Sequence, residues 1–349
     1  MANISRLSPS PLFPILDAKP TSPLAKTAAH APLDSTGCLT EYRPLATKSI
    51  LSKVVSKRKL PFTYAINPYR GCEFACRYCY ARYAHEFLEL TPEDFEHKIY
   101  FKQNVRWLLE QELKRLKPGT DIALGTATDP YQPLERKQRV TRTVLEAFAG
   151  CSGFGLGIVT KSALIARDIG LLKEVARRHK LSVHVTVTTI DAKLARILEP
   201  RAPRPDLRMQ AVAQLREAGI RTGVMCSPLM PGITDSRRSI AAVAKAAAAA
   251  GANFFVAGAL FLKPCSLPTF LSFVEKHYPE QLAAYKKRYA SNAFVSSEYR
   301  DRLQKIVDLI RRENKLGSRH ENAFMAATEA SRGEPIALQP WLPFAPPNG

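Results

Sequence analysis

Asn67-Pro-Tyr-Arg-Gly-Cys72-Glu-Phe-Ala-Cys76-Arg-Tyr-Cys79-Tyr80 places three cysteines at the spacing C-x3-C-x2-C. Residues 63–67 just before it read as a short β-strand, so the cysteines occupy the loop that leaves a strand end. A structural zinc site takes four closed ligands, usually as two separated pairs. No fourth cysteine follows here, and His85 lies six residues on, in a helical pattern. Three soft thiolates instead suit a cubane iron–sulfur cluster in a reducing compartment, with the fourth iron left open to an outside chelator. Gly71 lets backbone approach such a cluster closely, loop amides can hydrogen-bond its sulfides, and Tyr78 offers an aromatic face beside the open iron.

Outward from this loop, β-rich runs alternate with helical patterns. Residues 63–67, 121–127, 155–160, 182–189, 221–226 and 253–260 are mostly continuous apolar or β-branched runs, as expected of strands covered on both faces. Between them, residues 105–116, 139–148, 163–178, 208–218 and 239–250 carry helical periodicity, and Gly219 and Gly251 follow two of these as C-caps. A further run, 97–101, reads as an extra short strand. Strictly alternating strands and helices imply a parallel sheet with right-handed crossovers. An open doubly wound sheet and a partial barrel both fit, and both put function at the C-terminal strand ends.

Four regions follow: a Pro/Ser-rich, basic and mostly irregular arm (1–59), the alternating α/β region (60–265), a helical C-terminal extension (266–317) and an irregular Pro-rich tail (318–349). With 349 residues, 46% of them hydrophobic, the chain can bury a large core, which excludes wholesale disorder. Seven unevenly spaced cysteines do not form a disulfide framework. No signal peptide opens the chain, and the apolar stretch 246–262, interrupted by Gly251, Asn253 and Gly258, reads as an Ala-rich helix capped before a buried strand. The chain therefore reads as soluble and cytoplasmic, with no membrane partner. Its net charge of +20 is concentrated outside residues 62–150 and favours a polyanionic partner such as DNA.

The pattern of Cys72, Cys76, Tyr78 and Cys79 resembles the signature of the radical S-adenosylmethionine superfamily. Asn67-Pro-Tyr-Arg-Gly-Cys72, Thr128-Asp-Pro-Tyr-Gln-Pro-Leu-Glu135, Thr160-Lys-Ser162, Glu199-Pro200 and Pro231-Gly-Ile-Thr-Asp235 extend the resemblance to the subfamily related to spore photoproduct lyase, including bacterial proteins labelled DNA repair photolyases. The resemblance implies a partial (β/α)6 barrel and a lyase-like enzyme. It implies a [4Fe-4S] cluster on Cys72, Cys76 and Cys79, S-adenosylmethionine on the open iron, and a one-electron reductant of flavodoxin or ferredoxin type. Reductive cleavage of the cofactor then gives methionine and a 5′-deoxyadenosyl radical that takes hydrogen from a substrate. By position, Tyr78, Thr126, Thr128, Asp129, Thr188 and Glu199 are candidates for cofactor contact, and residues 224–230 correspond to the adenine edge. Tyr131, Gln132 and Lys161 are candidates for substrate contact.

Spore photoproduct lyase returns hydrogen through a cysteine and a tyrosine. No cysteine here shares a local motif with that donor, and Cys226, ending a strand, is the geometric candidate. A nucleic-acid lesion is the narrower substrate class, suggested by the charge and by Tyr285-Lys-Lys-Arg-Tyr289, whose tyrosines could stack bases. The rival reading is a non-catalytic iron–sulfur or zinc protein that binds nucleic acid through its basic surface.

Overall fold

The computed structural model describes residues 20–54 and 60–318. Its frame is six strands: β1 (Tyr64–Ile66), β2 (Asp121–Leu124), β3 (Gly155–Thr160), β4 (Lys180–Thr186), β5 (Thr222–Leu229) and β6 (Phe255–Ala259). They lie side by side in chain order, each parallel to the next. Leu51–Lys53 adds an antiparallel strand outside β1. A doubly wound sheet reverses its strand order at a switch point. This sheet has none, so right-handed crossovers carry the connecting helices to one face. Among the described residues β1 and β6 do not pair with each other, the mark of an open, partial (β/α)6 barrel.

The interior strands are buried on both faces. Leu156 and Ile158 on β3, Val183 and Val185 on β4, and Val224 on β5 are fully buried apolar residues, and Ser182, His184 and Thr186 on the alternate face of β4 are buried polar ones. Helices Val105–Leu113, Val140–Ala149, Ile169–Arg178, Pro205–Glu217 and Arg237–Ala249 close the outer face. The pattern at 163–178 is two elements rather than one. Ser162 Oγ caps Leu164 N–H to start a 3-10 turn at Ala163–Asp168, and the buried Asp168 carboxylate is held by Arg142 and Arg167 where the α-helix Ile169–Arg178 begins. Ala192–Leu198 was not legible in this region, because it is too short for periodicity and starts on an Asp191 cap.

Much of the arm is ordered, contrary to the expectation of an irregular segment. Pro23–Ala29 is a helix capped by Ser22, and Glu41–Leu45 pairs parallel with Lys98–Lys102. Lys98–Lys102, the extra strand expected at 97–101, pairs in turn with Tyr69–Arg70 at the start of the cysteine loop. It belongs to a second, four-stranded sheet rather than the barrel. Residues 1–19 and 55–59 of the expected arm and 319–349 of the expected tail lie outside the described residues. The helical extension is broken into Leu267–His277, Leu282–Arg288 and Ser297–Glu313. The apolar stretch at 246–262 is the end of one helix, Gly251 and β6, and no helix among the described residues is long and apolar enough to cross a membrane.

Lys102 ends its strand almost wholly buried, with Nζ 3.4 Å from the Ile50 carbonyl. Burial, reinforced by Arg70 and partly offset by Glu112, lowers its pKa to about 7. The unfolded chain therefore holds this proton up to a higher pH than the folded one, and stability rises with pH between the two values. Equilibrium urea unfolding should show wild-type stability climbing from pH 7 to pH 10. Lys102→Met should remove that component and be the more stable protein at pH 6.

Candidate functional site

The cysteine loop turns sharply at Gly71, whose φ of +82° favours glycine. The reason for glycine is also steric. A Cβ there would meet the Phe95 and Lys98 carbonyl oxygens at 2.8 and 2.9 Å, so the close approach is to neighbouring backbone. Thr128 Oγ1 (2.6 Å) and Gln132 Nε2 (3.3 Å) donate to the Gly71 carbonyl, and Gln132 Oε1 accepts from Glu73 N–H (2.9 Å). The Glu73 carboxylate accepts from Leu134 N–H and Tyr42 Oη. Asn67 Oδ1 accepts from Ala127 N–H (2.8 Å), tying β1 to the loop after β2. The loop is thereby pinned by the segment that follows β2 and by the ordered arm.

A buried polar network holds its far end. Tyr78 Oη donates to Glu199 and lies 3.0 Å from Thr188 Oγ1, which donates to the same Glu199 oxygen (2.8 Å). The other Glu199 oxygen faces Arg208 at 2.5 Å, with both side chains 1% exposed. Burial pushes the Glu199 carboxyl up, but Arg208 and Lys161 outweigh it and hold the group below its ordinary value. Lys161 Nζ stands 5.6 Å from the Tyr78 ring centroid. Burial opposes its charge, yet Cys76 and Glu199 raise its pKa overall.

One cavity, with about 970 Å³ of atom-free space partly open to solvent, collects Cys72, Cys76, Tyr78 and Cys79, the ends of β2 and β3 (Thr126, Thr128, Asp129, Lys161), Thr186 of β4, and Met225, Ser227 and Pro228 of β5. Its walls include Phe74, Phe95, Val159 and Phe261, which the sequence reading did not single out. Burial raises all three thiols, Cys76 to about 12. Among the described residues no three His, Cys, Asp or Glu side chains converge as ligands of a single metal ion. The three soft thiol donors that line the cavity are the donor set a cubane takes, each thiolate on a different iron. His85 is engaged elsewhere, its Nε2 2.9 Å from the Lys98 carbonyl and its pKa lowered by burial to about 4.

The other candidates divide. Thr188 and Glu199 do not line the cavity but hold Tyr78, which does. Asp129 is largely spent: Oδ1 accepts from Tyr131 N–H and Thr160 Oγ1, and Oδ2 from Lys161 N–H, so it shapes the turn that presents Lys161. Gln132 and Tyr131 are fully buried outside the lining, Gln132 bracing the loop and Tyr131 in the main core. Cys226 also packs in that core, its Sγ 3.7 Å from the Thr188 carbonyl. Tyr285 and Tyr289 are not base-stacking platforms. Both are buried, stacked on each other, and donate to the Pro231 and Leu260 carbonyls.

Comparison with known proteins gives a concordant picture. The Radical SAM superfamily profile matches residues 66–243. An uncharacterized protein of Mycobacterium tuberculosis is 34% identical over 284 residues, covering 81% of this chain and 83% of that one. One from Methanocaldococcus jannaschii is 28% identical over 244 residues, covering 70% and 87%. Among solved structures, spore photoproduct lyase complexed with dinucleoside spore photoproduct has the same fold, with a TM-score of 0.58 at 15% identity over 79% of this chain and 80% of that one.

Glu199→Gln leaves the Arg208 guanidinium buried without its counter-charge, at a cost of about 3–5 kcal/mol. Urea unfolding should show that loss, and Glu199→Leu combined with Arg208→Leu should lose less than either single change. Because the folded pKa lies below the unfolded one, the pair's contribution is full above about pH 4.5 and fades as pH falls through the lowered value. The gap between wild type and Glu199→Gln should close in acid.

Proposed function

The chain belongs to the radical SAM superfamily, and from that premise we propose that it cleaves S-adenosylmethionine reductively at a [4Fe-4S] cluster held by Cys72, Cys76 and Cys79, and abstracts hydrogen from a substrate bound in the same cavity. Cys72, Cys76 and Cys79 would hold the cluster, which would supply the electron for reductive cleavage of S-adenosylmethionine. The observation that carries this reading is the meeting of three thiols, the strand ends and Lys161 in one cavity. A merely structural metal needs no such assembly.

The chain's own groups have distinct tasks in this reading. Lys161 offers a cation to a carboxylate of cofactor or substrate, and Glu199 keeps Tyr78 beside the thiols. Phe74, Phe95, Met225 and Phe261 exclude water from a reactive species. A reducing cytoplasm suits the free thiols. Within this reading we propose a nucleic-acid lesion as substrate, processed by a lyase-type reaction. The net charge of +20 and a fold shared with an enzyme solved with a dinucleoside photoproduct support it. Tyr285 and Tyr289 contribute nothing to it.

Anaerobic reconstitution with iron and sulfide should give the broad visible absorption of an iron–sulfur cluster. Dithionite should then yield 5′-deoxyadenosine, and Cys72→Ala/Cys76→Ala/Cys79→Ala should lose both signals. Bound zinc with no such absorption would favour the non-catalytic rival. Lys161→Met should retain the cluster and weaken S-adenosylmethionine or substrate binding about 10-fold or more, the loss of one charged hydrogen bond. Affinity for single-stranded DNA should fall steeply with salt.

A further inference from the structure

The stretch 196–204 packs directly against the cysteine loop. Arg77 N–H donates to the Leu198 carbonyl (2.9 Å), and Arg201 N–H to the Phe74 carbonyl (3.4 Å). None of residues 196–204 lines the cavity. What this stretch presents to solvent is basic: Arg196 and Arg204 are exposed and Arg201 partly so. From the loop itself, Arg77 keeps 36% of its side chain accessible.

These charges are only partly matched. Arg196 spends a hydrogen bond on the Pro200 carbonyl, and Arg201 on the carbonyls of Glu73 and Glu96, so neither bond neutralises charge. Arg77 stands 3.8 Å from a Glu96 carboxylate whose other oxygen is taken by the buried Arg82. Arg204 pairs with Asp206. Leu207, 42% exposed, adds an apolar spot on the first turn of the helix that Arg204 caps.

We propose that this face, formed by Arg77, Arg196, Arg201 and Arg204 with Leu207, is the docking surface for a small acidic one-electron carrier protein. The inference rests on the proposed function, which requires an electron from outside. Arg77 lies between Cys76 and Cys79 and its side chain is partly exposed, so a carrier that contacts it sits against the loop that joins two of the proposed ligands. The cavity stays free for S-adenosylmethionine and substrate. Transient redox encounters use small interfaces, and charge complementarity steers them. In the transfer the carrier is oxidised by one electron and the cluster reduced by one, with no bond or proton exchanged. A nucleic acid would also answer the charge, but it would need the strand-end cavity, which this stretch does not line.

The test uses a recombinant acidic flavodoxin and Arg196→Glu/Arg204→Glu, two exposed positions that neither brace the loop nor line the cavity. Calorimetric titration of the purified full chain with flavodoxin should give binding that weakens with salt. The double variant should bind about tenfold more weakly, and Arg196→Lys/Arg204→Lys should bind as wild type does. On reconstituted protein, flavodoxin-driven 5′-deoxyadenosine formation should fall in the charge-reversed variant while the dithionite-driven rate stays unchanged. Equal flavodoxin affinity in wild type and the charge-reversed variant would overturn the proposal. So would loss of single-stranded DNA binding with flavodoxin binding intact, which assigns the face to nucleic acid. Should dithionite give no product with wild type, the enzymatic reading fails, and the titration still decides the surface.

Discussion

The buried carboxylate of Glu199 is the constraint on which the site depends. It receives Arg208 on one oxygen and Tyr78 with Thr188 on the other. Arg208 also donates to the Pro203 and Thr186 carbonyls. One ion pair therefore joins the cysteine loop, the end of β4 and the helix Pro205–Glu217. An ion taken out of water costs several kcal/mol, and a buried pair recovers that only where its remaining donors and acceptors are met. Here they are met in a single arrangement, so the pair selects geometry more than it adds stability.

That local constraint matters because the strand order has already brought the parts together. Six parallel strands in unbroken sequence send every C-terminal end to one rim, and groups from residues 72 to 261 share a cavity. Each strand end contributes little on its own. The rim is assembled by topology, and hydrogen bonds such as Thr128 to the Gly71 carbonyl hold the cysteine loop at the correct height above it.

The alternation of strands and helices was legible because the strands read as mostly apolar or β-branched runs and because glycines cap two of the helices. The choice of a partial barrel over a doubly wound sheet came from the resemblance. The cysteine spacing was legible because its chemistry is local. The ordered arm was not, since Glu41–Leu45 is a strand chiefly through its pairing with Lys98–Lys102, with Ser35–Thr36 on its other edge, and nothing in residues 20–54 announces the distant partner. Arg208 was likewise hidden among the exposed-looking arginines of 196–208, because its counter-charge Glu199 lies on no shared periodicity with it. Tyr285 and Tyr289 show the converse error. A basic, aromatic-interleaved run suggests base stacking, but the helix turns both rings inward and its charges outward.

The residues nominated from sequence differ in how much bonding capacity the fold has left them. Asp129 accepts three donors, Gln132 is divided between Gly71, Glu73 and Thr128, and Thr188 is bound to Glu199. A ligand would have to break those bonds before using the groups. Cys72, Cys76, Cys79 and Lys161 also line the cavity, three soft donors beside a cation supported by the Glu199 carboxylate. The braced polar residues thus act by holding still the groups that reach the cavity. Substitution among them should disturb geometry before chemistry, whereas a change at a thiol or at Lys161 removes the chemistry and leaves the geometry standing.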